Sequence, residues 1–206
     1  MDLHNYINYF IISFFTITSP GAAILLAINN AMCYGMKALF FSTVGNILGL
    51  FILSSVAMFG VGALIKSSTV FYIVLKIIGA IYLVYLGIKQ ITKKEMKFNI
   101  DNNLCYQKHS LKRVFIKGFL VAVTNPKPIL FFGAIFPLFM DEKRDMMLQF
   151  FIMTATFMAI SFCSLMFYGY VSKSAKNWFF DEEKLRVFYK VSGVLFVFMG
   201  VGMIFL

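Results

Sequence analysis

The chain has 206 residues, of which 60% are hydrophobic and 14% charged, with a net charge of +10. Soluble domains are about 45–50% apolar and about 25% charged, so the composition excludes an ordinary soluble globule and points to an integral membrane protein. The positive balance does not indicate nucleic acid: Lys and Arg cluster in connections between apolar spans and build no basic, aromatic-interleaved domain.

A membrane span needs about 20 mostly apolar residues, and charges divide the chain into such stretches. Residues 5–36 and 38–65 carry no charge, and residues 67–88 carry Lys76 alone. A polar, basic stretch runs from Lys89 to Lys117. Residues 118–140 then carry Lys127, residues 146–172 carry no charge, and a last span from about 187 to 206 carries Lys190 near its start. The spacing predicts an all-α integral membrane protein with six transmembrane helices in one domain, 1–206. The first 30 residues have no Lys or Arg ahead of the apolar run and no A-x-A-like site, so they read as the first helix and not as a cleaved signal.

Fourteen of the 19 Lys and Arg fall in the first, third and fifth connections, and three in the second and fourth. The positive-inside rule then places the central loop in the cytoplasm and both termini on the outer, periplasmic side of the inner membrane. That loop, about 92–111, separates a first group of three helices (about 1–91) from a second (about 112–206). Three is odd, so the second group enters the membrane from the opposite side. A repeat would be inverted, a common transporter plan.

The two groups share one feature. The first helix of one reads Ser19-Pro20-Gly21, and the first helix of the other reads Asn125-Pro126-Lys127-Pro128. Ser and Asn are favoured N-caps and Pro is favoured at the first helical position. Each break therefore reads as a new helix start inside the membrane, with Ser19 as cap, Pro20 as first helical residue and Gly21 allowing close approach. Residues 5–36 would span about 48 Å as one helix, against a hydrocarbon core of about 30 Å, which leaves room for a break. Irregular backbone at this depth is tolerated where protein or a water-filled cavity covers it. Two half-helix N-termini approaching from opposite sides would seat a carboxylate near the midplane.

Lys76 and Lys127 are the charges well inside spans, and intramembrane charge marks a functional site by default. Lys127 sits in the second break, whereas Lys76 lies close enough to the outer surface to snorkel. All nine Asp and Glu lie outside the spans, so a proton-coupled mechanism would lack a buried carboxylate relay. The polar residues left for a pathway include Thr16, Thr18, Asn29, Asn30, Asn46, Thr124, Tyr82 and Tyr85. Gly45 and Gly49 form a GxxxG step, and Gly79 and Gly87 place small surfaces on the third helix, all read as helix packing. Cys33, Cys105 and Cys163 are isolated, with no CxxC, and read as unlinked thiols. His4 and His109 form no metal set with them. No catalytic residue, cofactor or metal is expected.

The stretches "SPG", "YGMKALFFSTVGNILGL", "LKIIGAIYLVYLGIKQI" and "GFLVAVTNPKPILFFGAIFPLF" resemble the LysE/RhtB family of amino-acid exporters, over about residues 10–140. The carrying residues are Pro20, Gly21, Gly35, Gly45, Gly49, Lys76, Gly79, Tyr82, Leu86, Gly87, Gly118, Phe119, Asn125, Pro126 and Lys127. Three positions depart from the family: Leu50 and Leu138 stand where relatives often have polar residues, and Leu39 where many have Gly. The resemblance implies a six-helix inner-membrane efflux protein for amino acids or related small metabolites, driven by the proton gradient.

Taken together, the residues predict a secondary exporter. Its substrate, amino-acid-like and carboxylate-bearing, would be bound by Ser19, Pro20, Gly21, Asn46, Asn125, Pro126 and Lys127, with Lys76 and Tyr82 in coupling or the pathway. Membrane lipid and a second copy of the chain, as a homodimer, complete the expected partners. Three alternatives are weighed, one of them a non-transporting membrane partner protein, in which two matched breaks that cost stability would have no purpose. A metal-ion exporter on the same scaffold lacks buried carboxylates and a His cluster. A membrane thiol-redox protein lacks one cysteine per half at the breaks.

Overall fold

The computed structural model describes residues 1–65, 69–92, 110–141, 144–174 and 182–205. Lys66, Lys143, Lys176 and most of the central loop, including Lys93, Lys94, Lys97, Cys105, Lys108 and His109, lie outside the described residues.

Among the described residues every regular element is helical. In chain order they are α1 (Leu3–Thr18), α2 (Ala22–Ile65), α3 (Thr69–Ile91), α4 (Leu111–Thr124), α5 (Pro126–Leu130), α6 (Met146–Ser174) and α7 (Glu182–Phe205). A π-helical turn, Phe131–Ile135, and a 3₁₀ turn, Phe136–Phe139, prolong α5. Ala22–Phe59 and Met146–Lys173 are long and apolar enough to cross a membrane, and α4 with the Pro126–Phe139 arm is so only as a pair, bent by 45°, in the manner of a broken span or a re-entrant loop. The outward surface is correspondingly apolar: Phe59 is 78% exposed and Phe198 77%. Such a surface suits lipid and not water.

α2 is two helices in sequence. Gly35 interrupts it at φ 81° and ψ 179°, a region that is essentially glycine's own. The boundary between the first two predicted spans falls there.

In lipid, apolar contact between helices gains little over apolar contact with acyl chains, so close packing and hydrogen bonds hold helices together. The glycines supply the closeness. Gly45 faces the main chain of Phe115 and Gly118 that of Ser42, so tightly that a Cβ on either would collide with a carbonyl oxygen. A Cβ on Gly49 would come within 2.7 Å of the Ala122 methyl. These contacts join α2 to α4. On the other side α3 meets α7, where a Cβ on Gly87 would lie 2.6 Å from the Gly193 oxygen. Gly79 instead approaches the Ala134 oxygen, at 3.0 Å from its would-be Cβ. Between these pairs lies an aromatic core of Tyr9, Phe131, Phe132, Phe136 and Phe157, and Tyr9 ties α1 to α6 by donating to the Met153 oxygen at 2.9 Å.

Two sequence expectations are corrected here. Ser19 does not cap the new helix and Pro20 does not open it: α1 ends at Thr18, Ser19 closes it, and α2 begins at Ala22. Ser19 is extended at φ −63°, ψ 116°, as a residue before proline is expected to be, but the helix resumes two residues later than Pro20. The carbonyl that opens the next helix belongs to Gly21, which accepts from the Leu25 N–H at 2.9 Å. Nor does Gly21 serve close approach, since a Cβ there would meet nothing within 4 Å. A third correction concerns the cysteines. Cys163 is free, but Cys33 is disulfide-bonded.

Candidate functional site

The second break forms as its sequence predicts. Asn125 is extended at φ −73°, ψ 121°, Pro126 is the first helical residue, and the Asn125 side-chain oxygen accepts from the Lys127 N–H at 3.1 Å.

The breaks match atom for atom on their incoming side. The N–H of Ser19 donates to Phe15 O, and that of Asn125 to Val121 O, both at 3.1 Å. The threonine ahead of each folds its hydroxyl back onto the helix it ends: Thr18 donates to Phe14 O at 2.6 Å and Thr124 to Leu120 O at 2.7 Å. They differ on the outgoing side, where the helix resumes immediately at Pro126 but only after Pro20 and Gly21 in the first break.

A break leaves main-chain oxygens without helical partners, and in a membrane these must be satisfied from within the protein. At the first break three consecutive oxygens are each met by a side chain from the second half of the chain. Tyr168 on α6 donates its hydroxyl to Thr18 O at 2.8 Å. Lys127 donates its ammonium to Ser19 O at 2.8 Å. Tyr189 on α7 donates to Pro20 O at 3.1 Å. The carbonyl of Lys127 is in turn approached by the Tyr82 hydroxyl at 3.4 Å, a long contact.

The two breaks border a partly open cavity with about 50 Å³ open to water centres, room for a few waters. Of the residues proposed from sequence to bind substrate, Ser19, Gly21, Asn46, Asn125 and Lys127 line it. Pro20 and Pro126 do not, although the Pro20 oxygen joins the hydrogen bonds behind the wall. Thr16 and Ser161 add hydroxyls, and Ile24, Leu50, Phe157 and Leu165 add an apolar wall. The Ser161 hydroxyl lies 3.5 Å from the side-chain oxygen of Asn46. Thr16 is 1% exposed and its hydroxyl has no partner among the described residues. No Asp or Glu is among the described residues that line the cavity.

Lys76 is half-buried on α3 and does not line the cavity, and Tyr82 reaches the site only through the Lys127 carbonyl. Ser161, Tyr168 and Tyr189 are the site residues that sequence reasoning missed. The usable signal was that a broken membrane helix must find hydrogen-bond donors for its freed oxygens. Which tyrosines would supply them depends on contacts across 150 and 169 residues.

Comparison with known proteins matches the family model described as LysE type translocator to residues 14–205. An uncharacterized membrane protein of Bacillus subtilis is 28% identical over 206 residues, covering 97% of this chain and 98% of that protein. One of Vibrio cholerae is 29% identical, covering 99% and 97%. A homoserine/homoserine lactone efflux protein of Salmonella typhi is 28% identical over 182 residues, covering 88% and 87%. No solved structure matches the chain.

Proposed function

From a chain that belongs to the LysE type translocator family and is a multi-pass membrane protein, we propose a secondary exporter of amino acids or related small metabolites, resident in the inner membrane and coupled to protons. The observation that carries it is the cavity between the two proline breaks, walled by Ser19, Gly21, Asn46, Asn125 and Lys127. A binding site assembled from both halves is what alternating access requires, since motion of one half against the other exposes it to each side in turn. The homoserine/homoserine lactone efflux protein among the relatives supports a compact, amino-acid-like cargo.

In this reading residues 1–91 and 112–206 are two inverted three-helix repeats, and the chain crosses the membrane six times. The paired geometry of Ser19 and Asn125 supports it, as does the exchange of contacts in which α4 packs on α2 while α6 packs on α1 and α2. The periplasmic placement of both termini rests on the Lys and Arg distribution. Proton movement has no carboxylate at the described cavity wall to use, so it falls to Lys127 or to the substrate's own groups.

The test is export of labelled amino acids from cells that express the protein, across a panel of neutral, acidic and basic members. Efflux of a subset above vector controls, abolished when the proton gradient is collapsed, is expected. Equal efflux from both cell types for the whole panel would sink the reading.

A further inference from the structure

We infer that the substrate inserts as a zwitterion into the hydrogen bond between Lys127 and Ser19. Its carboxylate takes the ammonium of Lys127, and its own ammonium takes the Ser19 oxygen that Lys127 leaves. The inference rests on the exporter reading above and deepens it into a recognition rule.

The starting point is the 2.8 Å contact from the Lys127 ammonium to the Ser19 oxygen, with both residues in the cavity wall. Of the three freed oxygens in a row, the outer two are held by tyrosine hydroxyls and the middle one by a charged, long-chain donor. An α-amino acid carries an anionic acceptor and a cationic donor on one carbon. Placed between Lys127 and Ser19, it replaces one hydrogen bond with two charge-assisted ones and leaves neither end unpaired.

Partial ligands fail for separate reasons. A carboxylate without the amine satisfies Lys127 and strands the Ser19 oxygen. An amine without the carboxylate takes the oxygen from Lys127 and returns no acceptor to its ammonium. A buried group left without its partner is the dominant penalty in such exchanges. A second ammonium on the ligand meets no carboxylate among the described lining residues, so it gains no charged partner to offset the water it gives up on entering.

An independent observation points to a ligand at the same place. The Thr16 hydroxyl lines the cavity, is buried at 1% exposure and has no hydrogen-bond partner among the described residues. It is open to a water or to a polar group of a ligand. Leu50, Phe157 and Leu165 complete the wall with surface for a short aliphatic side chain. A ligand placed there separates the Lys127 ammonium from the Ser19 oxygen, and because the two belong to different breaks, loading the site loosens the hydrogen bond that joins them.

The experiment uses purified protein in liposomes, exchanging labelled 2-aminobutyrate, with protein-free liposomes as the blank. Four unlabelled competitors are compared: 2-aminobutyrate, its deaminated analogue butyrate, its decarboxylated analogue propylamine, and 2,4-diaminobutyrate. Each of the last three should compete at least about tenfold more weakly than 2-aminobutyrate. In Lys127→Gln, which can still donate to Ser19 but carries no charge, the gap between 2-aminobutyrate and propylamine should close to within about threefold. Butyrate or propylamine competing within about twofold of 2-aminobutyrate in the native protein overturns the insertion model while the exporter reading stands. So does an unchanged gap in Lys127→Gln. Absence of exchange with this amino acid and with the whole export panel overturns the exporter reading, and the inference with it.

Discussion

The ammonium of Lys127 donates to the main-chain oxygen of Ser19 across 108 residues of chain, so one hydrogen bond of 2.8 Å joins the two broken helices. Lys127→Met keeps the aliphatic length and removes both donor and charge. The Ser19 oxygen would lose that donor, at about 1–3 kcal/mol for a buried unsatisfied group. The expected result is a folded protein with a lower melting temperature in detergent and an export rate reduced at least about tenfold. Lys127→Arg should restore part of the rate, because it keeps the charge but presents a broader, planar donor. A native export rate in Lys127→Met would remove this residue from the pathway.

Tyr168 and Tyr189 hold the oxygens on either side, those of Thr18 and Pro20. Tyr168→Phe and Tyr189→Phe each delete one hydroxyl without changing ring packing, and each should destabilise by about 1–2 kcal/mol. The oxygens belong to one short turn of backbone, so the double variant should depart from additivity by at least about 0.5 kcal/mol. Unfolding free energies of the four proteins in detergent measure this, and strict additivity would mean that the two donors hold the break independently.

The two breaks were legible because proline has consequences that need no tertiary context. It forces the residue before it into an extended conformation, and both Ser19 and Asn125 comply. Direction was less legible. Serine can follow the end of one helix or precede the start of another, and with Gly21 available as a cap the second helix starts two residues later than Pro20 suggested. The partners of the freed oxygens were not legible, since Tyr168 and Tyr189 look like any other aromatic residues in apolar helices until the fold brings them to the break.

The glycines make a sharper contrast. Gly118→Ala places a methyl against the Ser42 carbonyl, rigid main chain that cannot rotate away, and should destabilise by about 1–3 kcal/mol. Gly21→Ala places a methyl in open space beside the cavity, so its melting temperature should stay near native. Gly21→Leu should also fold, yet fill the cavity and suppress export. Thermal melts paired with export rates separate the two kinds of glycine. A strongly destabilised Gly21→Ala would show that this position serves packing after all.

Orientation can be read chemically. Leu3 is exposed near the start of α1 and Thr92 just beyond the end of α3. With the other cysteines replaced, Leu3→Cys should react with a membrane-impermeant maleimide added to intact cells. Thr92→Cys should react only in inverted vesicles, as the Lys and Arg distribution requires. The opposite labelling pattern would invert the topology.

Leu50 tests the apolar side of the cavity. It is 4% exposed, lines the cavity beside Asn46, and stands one residue after Gly49, which packs within reach of the Ala122 methyl. Its backbone is thus fixed by helix contact, so a substitution changes the wall and leaves the helix in place. Leu50→Gln introduces a donor and an acceptor into a wall whose apolar part includes Ile24, Phe157 and Leu165. In the empty protein those polar atoms lack assured partners, and a loss of about 1–3 kcal/mol is expected. A substrate with a side-chain hydroxyl would supply one partner, and a purely aliphatic one would not. Export of homoserine relative to 2-aminobutyrate should therefore rise several-fold in Leu50→Gln, because these two differ by a single hydroxyl. An unchanged ratio, with the protein still folded and exporting, would place the substrate's side chain against another part of the wall.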